Sequence, residues 1–359
     1  MVSAGFPPTL GGAERQAYEL SRALRARGHD VFVLTRRAAG LPARETLDGL
    51  PVERLAAWGG GLLNSSVFFA ACLARLIRGD YDVVHSHLAS SPALAAAVAA
   101  RFCGKKAVIK LGGGRGIGEI ALSAKSVPGR LKLALFKALA PRFVAVTRDL
   151  ADELAEHGLG PAEVVPNGVD VSRFRPPEAG EKAALRAERG LGPGPVFLYM
   201  GRLAWEKRLP AFAAAFAAAA SGAVFAVVGD GPERAALEGV GGVRLFPPQA
   251  DPAPWYRLAD VFVLPSVSEG LSNALLEAMA SGLAVLASRV GGTAEAVEDG
   301  VSGLLFDGDP AQAARAPLKR LLEDPGSAGR LGAAARKRAV ERYSLAAVAE
   351  RYAKLYNET

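Results

Sequence analysis

Short apolar runs alternate with amphipathic, helix-like runs almost from one end of the chain to the other. In the first half, Val31–Thr35, Val83–His85, Ala107–Leu111 and Phe143–Thr147 read as strands. Helical patterns such as Ala13–Arg27 and Arg130–Leu139 lie between them. In the second half, Val196–Met200, Ala223–Val228, Val243–Phe246, Val261–Pro265 and Leu283–Ala287 read as strands, with helices over 207–220, 233–239, 273–281 and 310–322. The strand runs are apolar throughout rather than alternating, as expected of strands buried on both faces. Strand followed by helix, repeated, predicts an α/β fold class: two Rossmann-like parallel-sheet domains. Asn167-Gly168 is a turn signal, and Pro176-Pro177 with Glu178–Gly180 reads as a linker. The chain is therefore expected to form two units of similar size facing a cleft. In such sheets ligands bind beyond the carboxyl ends of the strands, so conspicuous residues just after strands become the candidates.

A length of 359 residues fits two domains of this kind. Half the residues are hydrophobic and 22% are charged, which excludes a disordered tail, a collagen-like fibre or a small stapled scaffold. The two cysteines, Cys72 and Cys103, sit in no CxxC or Cys/His cluster, so neither a zinc site nor a disulfide framework is expected. Met1–Gly12 has no basic head followed by an apolar run. The greasiest stretch, Leu62 to Ile77, is interrupted by Asn64, Ser65, Ser66 and Arg75 and falls short of the roughly 20 apolar residues that span a bilayer. A cytoplasmic protein is expected, and the Ala-rich runs 93–100 and 210–220 read as closely packed, buried helices.

Charge changes the picture. Residues 1–180 hold 23 Lys and Arg against 16 Asp and Glu, whereas residues 181–359 hold 20 of each. Between Arg101 and Arg148 there are 11 basic residues and one acid, Glu119. A basic first half implies an anionic partner: a phosphate compound or an acidic membrane surface. Nucleic acid is not expected, because aromatics in this stretch are limited to Phe102, Phe136 and Phe143 and no nucleic-acid module is recognisable.

Several loops after strands carry candidate chemistry. Gly11-Gly12 precedes the helix Ala13–Arg27, where bare backbone and a helix start favour an anion. His85 and His87 end the strand Asp82-Val83-Val84; His87 is expected in the following loop, facing a substrate, with His85 structural. Arg202 and Lys207, in Gly201-Arg202-Leu203-Ala204-Trp205-Glu206-Lys207, are placed to clamp a phosphate. Gly229-Asp230-Gly231-Pro232 is a turn beside a helix start. The stretch Pro265–Gly282 reads as strand end, glycine turn, Ser/Asn cap and helix. There a helix start holds a diphosphate, while Glu269 and Glu277 can accept hydrogen bonds from sugar hydroxyls. Asp309 of Asp307-Gly308-Asp309 reads as a helix cap rather than a metal ligand. The Gly112–Gly118 run lacks GxGxxG spacing, so dinucleotide binding is not indicated.

Taken together, in their order along nearly the whole chain, these residues resemble the retaining glycosyltransferases of family 4 (glycosyl transferases group 1), which have the GT-B fold. Gly11-Gly12-Ala13-Glu14, Gly28-His29-Asp30-Val31, Asp82–His87, Pro166-Asn167-Gly168-Val169-Asp170 with Phe174, Gly201-Arg202 with Lys207, Gly229–Pro232, Glu269 with Glu277, and Gly291-Gly292 with Glu295 carry the resemblance. It implies an acceptor-side domain over 1–172, joined by a C-terminal helix at about 343–359, and a nucleotide-sugar domain over 173–342. Arg202 and Lys207 would neutralise the donor diphosphate, Glu269 would contact the sugar and Glu277 the ribose. The backbone of Gly270, Leu271, Ser272 and Asn273, with Gly229, would hold phosphate. Gly11 and Gly12 would close over the diphosphate, and His87 would face acceptor and sugar. Glu269, His87, Arg202 and Lys207 are the implied catalytic set. Family members keep the anomeric configuration without a metal ion, so no cofactor is implied, and no activated protein nucleophile is visible. The resemblance implies a nucleotide sugar as donor; the basic stretch 101–148 separately leads us to expect an anionic or lipid-linked acceptor and contact with the inner face of the membrane.

Two departures stand out. Arg208 occupies a position where the family usually has glycine. Only Met1–Ala4 precede the first glycine turn, so residues 1–4 are expected to form a stub at a central sheet position, with the rest of that strand upstream of Met1. Two other functions share the shape: a nucleotide-sugar epimerase or phosphorylase, and an inactive binding module. The Glu pair and Asn167–Asp170 favour transfer over the first. The presence of Glu269, Arg202 and Lys207 favours it over the second.

Overall fold

The computed structural model describes residues 1–8, 11–219 and 222–358, without the side chain of Pro325. The chain divides into two compact units, Met1–Gly168 with Leu345–Thr359, and Val169–Ser344.

In the first unit eight strands form one sheet: β1 (Val2–Ser3), β2 (Val33–Arg36), β3 (Arg44–Leu47), β4 (Leu50–Leu55), β5 (Val83–His87), β6 (Lys106–Leu111), β7 (Arg142–Ala145) and β8 (Glu163–Val164). Their order is β3-β4-β2-β1-β5-β6-β7-β8, and every pairing is parallel except β3 with β4. The β3–β4 hairpin turns at Asp48-Gly49, both with positive φ. Asp-Gly is a strong hairpin signal that the parallel-sheet reading passed over. Met1–Ser3 do occupy a central position, with Val2 opposite Leu34 of β2 and Ser86 of β5. Beside them lies a cavity of about 810 Å³ bounded by Val31, Phe32, Tyr81, Val83, Leu24 and Tyr356. One face of the sheet packs against helix Gly12–Ala26 and the C-terminal helix Leu345–Glu358, through Leu20, Leu24, Val348 and Tyr352. The other is covered by Phe68, Cys72 and Leu76 of helix Gly61–Ile77 and by Ala95, Ala96, Ala99 and Ala100 of helix Ser91–Cys103. Alanines at these positions let the helix sit close to the strands.

The second unit has six parallel strands: β9 (Val196–Met200), β10 (Val224–Val228), β11 (Val243–Phe246), β12 (Val261–Leu264), β13 (Ala284–Ser288) and β14 (Leu304–Phe306). Their order, β11-β10-β9-β12-β13-β14, runs outward in both directions from β9. The strand sequence therefore reverses between β9 and β12, which is the kind of switch point where open α/β sheets bind ligands. The predicted helix over 233–239 is reduced to a single 3-10 turn, Ala235–Leu237, and that over 310–322 breaks into Pro310–Ala313 and Arg315–Glu323. Pro317, in the first turn of the second piece, has no N–H to carry the ladder through. Ala220, where the predicted 207–220 helix and the 210–220 run end, lies outside the described residues, as does Thr359.

Candidate active site

The second unit gathers its candidates at the switch point. The loops after β9 and β12 are tied by Val267 N–H to Glu206 O at 2.8 Å and by Lys207 Nζ to Glu269 Oε1 at 2.6 Å. The same Glu269 oxygen accepts from Ser266 Oγ at 2.6 Å. The side chain of Glu269 is only 10% exposed and that of Lys207 19% exposed. The two satisfy one another, because a largely buried charge without a partner is expensive. The next loop joins them through Gly292 N–H to Glu269 O.

Arg202 reaches outward, its side chain 71% exposed, and its guanidinium pairs with Glu206. The loop around it is held by Tyr199, whose hydroxyl donates to Arg202 O at 2.8 Å. Burial pushes the Tyr199 phenol well above its ordinary value, with Glu269 and Glu206 adding to the effect. Gly201, Gly229 and Gly231 all have φ near +150°, and a Cβ on Gly229 would overlap the Gly201 carbonyl. The glycines of the two motifs thus exist for one another: the loop after β9 lies on the loop after β10, pinned by Leu203 N–H to Asp230 O at 2.8 Å.

Helix Asn273–Ala280 follows the Glu269 loop, capped by Ser272 Oγ on Leu275 N–H. Leu271 and Gly270 are buried beneath this start. Glu277 lies one face further along, 6% exposed, and Tyr256 OH donates to its Oε2 at 2.8 Å. Neither Glu206 nor Tyr256 was singled out from sequence; a glutamate four residues after Arg202 was the available signal for the first. Arg208 adopts φ +51°, the left-handed conformation that glycine usually supplies. Its guanidinium holds that turn by donating to Gly308 O at 3.0 Å and pairing with Asp309. Asp309 itself caps helix Pro310–Ala313. Among the described residues no group of three or more His, Cys, Asp or Glu side chains is arranged to hold a metal ion.

The first unit holds the remaining candidates. Gly11 is the N-cap of helix Gly12–Ala26, and its carbonyl accepts from Arg15 N–H at 3.0 Å. A Cβ on Gly11 would collide with the Glu14 carboxylate, so the turn is closed against its own helix. His87 departs from expectation. It is the last residue of β5 rather than part of the loop, and it is 2% exposed. Strand register continues to His87 because it pairs with Lys110 of β6. Its ring stacks on His85 with centroids 4.6 Å apart, and its Nε2 is buried with no hydrogen-bond partner among the described residues. His85 is structural, its Nδ1 2.6 Å from Tyr356 OH of the C-terminal helix.

Known proteins supply the remaining facts. Residues 10–173 match the family described as Glycosyltransferase Family 4, and residues 194–324 match Glycosyl transferases group 1. The D-inositol 3-phosphate glycosyltransferase of Frankia alni is 35% identical over 92% of this chain and 90% of its own length. That of Thermobispora bispora is 34% identical over 97% of this chain and 90% of its own. Anabaena HepE, solved in complex with UDP and glucose, superposes with a TM-score of 0.82 at 19% identity, covering 100% of this chain and 99% of its own. WaaG, a glycosyltransferase involved in lipopolysaccharide biosynthesis, superposes at 0.78 with 19% identity over 99% of this chain and 98% of its own. The two parallel-sheet domains are those of GT-B glycosyltransferases. With paired Lys207 and Glu269 at the switch point and relatives of this similarity over nearly the full length, the chain belongs to the family 4, group 1 glycosyltransferases and is a sugar-transferring enzyme.

Proposed function

We propose that this enzyme moves a sugar, with retention of anomeric configuration, from a nucleoside diphosphate donor to a phosphorylated polyol such as an inositol phosphate. The observation that carries the donor half is the Lys207–Glu269 pair beside the capped start of helix Asn273–Ala280. A diphosphate arriving at that edge meets Lys207 and Arg202 as cations and the helix start as a dipole. Lys207 then exchanges its carboxylate partner for phosphate, which frees Glu269 Oε1 for a sugar hydroxyl. Glu277, held in place by Tyr256 OH, meets the ribose. In this scheme the backbone at Gly11, Gly12 and Gly229 contacts phosphate.

In the transfer step the bond from the anomeric carbon to the β-phosphate oxygen breaks, and a bond from the acceptor oxygen forms on the same face. The acceptor proton passes to the departing phosphate. Negative charge grows on that leaving group, where Arg202, Lys207 and the helix start stabilise it. No metal ion is needed in this scheme. His87 is a buried ring at the end of β5, stacked on His85 and with no hydrogen-bond partner for its Nε2 among the described residues, that touches substrate only when the turn after it shifts. The basic first half and the names of the relatives support an anionic acceptor. We further propose a cytoplasmic enzyme that touches the inner membrane face through 101–148. No described helix is long and apolar enough to cross a membrane.

Thermal-shift titration against UDP, ADP and GDP sugars tests the donor half. One nucleotide sugar at about 100 times its dissociation constant should add roughly 2.7 kcal/mol of stability. A shift that survives Lys207→Ala and Arg202→Ala undiminished would show that the donor sits elsewhere.

A further inference from the structure

β6 carries a lysine where a strand buried on both faces should carry only apolar side chains. Lys110 is 3% exposed, and its Nζ has no hydrogen-bond partner among the described residues. Lysine is almost never found so deep unless paired. Its neighbours make the placement more costly. His87 lies directly opposite on β5, His85 stacks on His87, and the Met1 amino group completes the facing set on β1. On the covering C-terminal helix, Tyr352 lies with its ring 5.6 Å from Nζ and Tyr356 bonds His85; Arg351 and, on β8, Glu163 flank Tyr352. Among the described residues no carboxylate pairs with the amine. Burial alone brings the Lys110 amine down to about 7. Burial, then His85, then Lys110 hold the His87 ring well below its ordinary value.

A second cost sits at the same strand end. Leu88, the residue after His87, has φ +69°, a conformation that non-glycine residues take only when their surroundings impose it. The turn begins where the ladder ends: Leu88 N–H donates to the Lys110 carbonyl at 2.8 Å, the last bond between β5 and β6. An uncompensated buried cation and a strained turn thus meet at the carboxyl ends of β5 and β6, next to the sheet's own switch point between β1 and β5. Local rules broken side by side are expected at functional sites rather than in plain cores.

We propose that Lys110 is a positioning residue of the transfer reaction, acting through His87: its buried amine, on the strand paired with the His85–His87 strand, governs the charge and setting of the ring that meets substrate. This rests on the role given to His87 above. Neighbouring strands run about 4.8 Å apart. His87 and Lys110 are register partners on adjacent parallel strands, so their side chains share a face, and a like charge nearby lowers the proton affinity of an imidazole.

The chain has four histidines, His29, His85, His87 and His157, so their ring signals can be followed individually by NMR on the full chain labelled at histidine nitrogen. In the wild type, the His85 and His87 signals should keep the neutral pattern well below the pH at which an ordinary imidazole charges and show a small step near pH 7 as Lys110 titrates. In Lys110→Met, and in Lys110→Gln should the first fail to fold, the step should vanish and His87 should bind its proton at least tenfold more tightly. Transfer from a UDP sugar to inositol 1-phosphate or 3-phosphate should fall through kcat with KM little changed, and the pH–rate profile should lose its step near 7. Unchanged histidine titration in both variants overturns the proposal, as does an unchanged pH–rate profile. His87→Gln separates the two readings. If it transfers sugar at the wild-type rate while the Lys110 titration effects persist, the role of His87 fails and the electrostatic coupling stands.

Discussion

Lys207 and Glu269 neutralise one another across 2.6 Å, and this decides what happens when either is removed. Each single alanine variant loses a contact to the transition state, which typically lowers kcat by 10²- to 10³-fold. Each also strands the other charge at 10–19% exposure, so melting temperature should fall too, which an exposed residue would not cause. The double variant should be more stable than the sum of the singles predicts, and a double-mutant cycle by denaturation and kinetics measures it. Lys110 makes a second residue-scale prediction. Its folded value of about 7 lies below its ordinary value of 10.5, so the unfolded chain binds more protons between those limits and stability rises with pH there. The buried tyrosines, Tyr352 and Tyr356, are raised, so their contribution is lost only above about pH 10 and does not mask the rise. The buried Met1 amine, lowered from 8.0 to about 5, adds a rise of its own that is complete near pH 8. Melting temperature should therefore climb from pH 8 to 9 in the wild type and stay nearly flat over that interval in Lys110→Met, which should also be the more stable protein at pH 7. Lys110 was legible in principle, as a charge inside the apolar run Ala107–Leu111. His87 was misplaced because strand length depends on pairing with β6, which no local pattern states.

At the scale of elements, glycine positions separate what sequence reasoning could reach from what it could not. Gly201 and Gly229 each looked like an ordinary turn after a strand. Only the structure shows that the two loops lie on one another, with no room for a Cβ at Gly229. Gly229→Ala should lower the stability of the second unit and its affinity for nucleotide together, read by denaturation with and without UDP. Arg208 shows the converse. It keeps the left-handed turn that glycine would supply, at a backbone cost of roughly 1 kcal/mol, and offsets it through Gly308 and Asp309. Arg208→Gly should change stability by less than about 1 kcal/mol, whereas Arg208→Val, β-branched and without those contacts, should destabilise markedly. The alternating strand and helix pattern foretold both parallel sheets because their strands are apolar on both faces. It missed the antiparallel β3–β4 hairpin, whose Arg44–Leu47 strand lies at the sheet edge and is largely polar.

Over the whole molecule, the basic excess of the first half is partly spent internally. Of the 11 basic residues between Arg101 and Arg148, Lys110 is buried, Lys132 donates to Ala89 O, and Arg115 and Arg142 pair with acids. What faces outward nearby is a mixed surface: Leu122, Val127 and Leu131 are 60–70% exposed, near Lys125 and Arg130 in sequence. Such a surface fits the interface of an anionic bilayer, where each Lys or Arg adds about 1 kcal/mol. Co-sedimentation with vesicles containing phosphatidylglycerol should be strong at low salt, should fade as salt is added and should weaken in Leu131→Asp. Equal binding to neutral vesicles would remove the membrane and leave a dissolved acceptor.

The central claim is retaining transfer from a nucleotide sugar at the site built around Lys207 and Glu269. Proton NMR of one reaction tests it most directly: UDP-linked α-sugars, tried in turn, with inositol phosphate and the full-length enzyme, observed at the anomeric signal. The predicted result is a new anomeric proton with the small coupling of an α-linkage, formed as UDP is released and absent with Glu269→Ala. A product with the large coupling of an inverted linkage, or equal product from Glu269→Ala, would contradict the account.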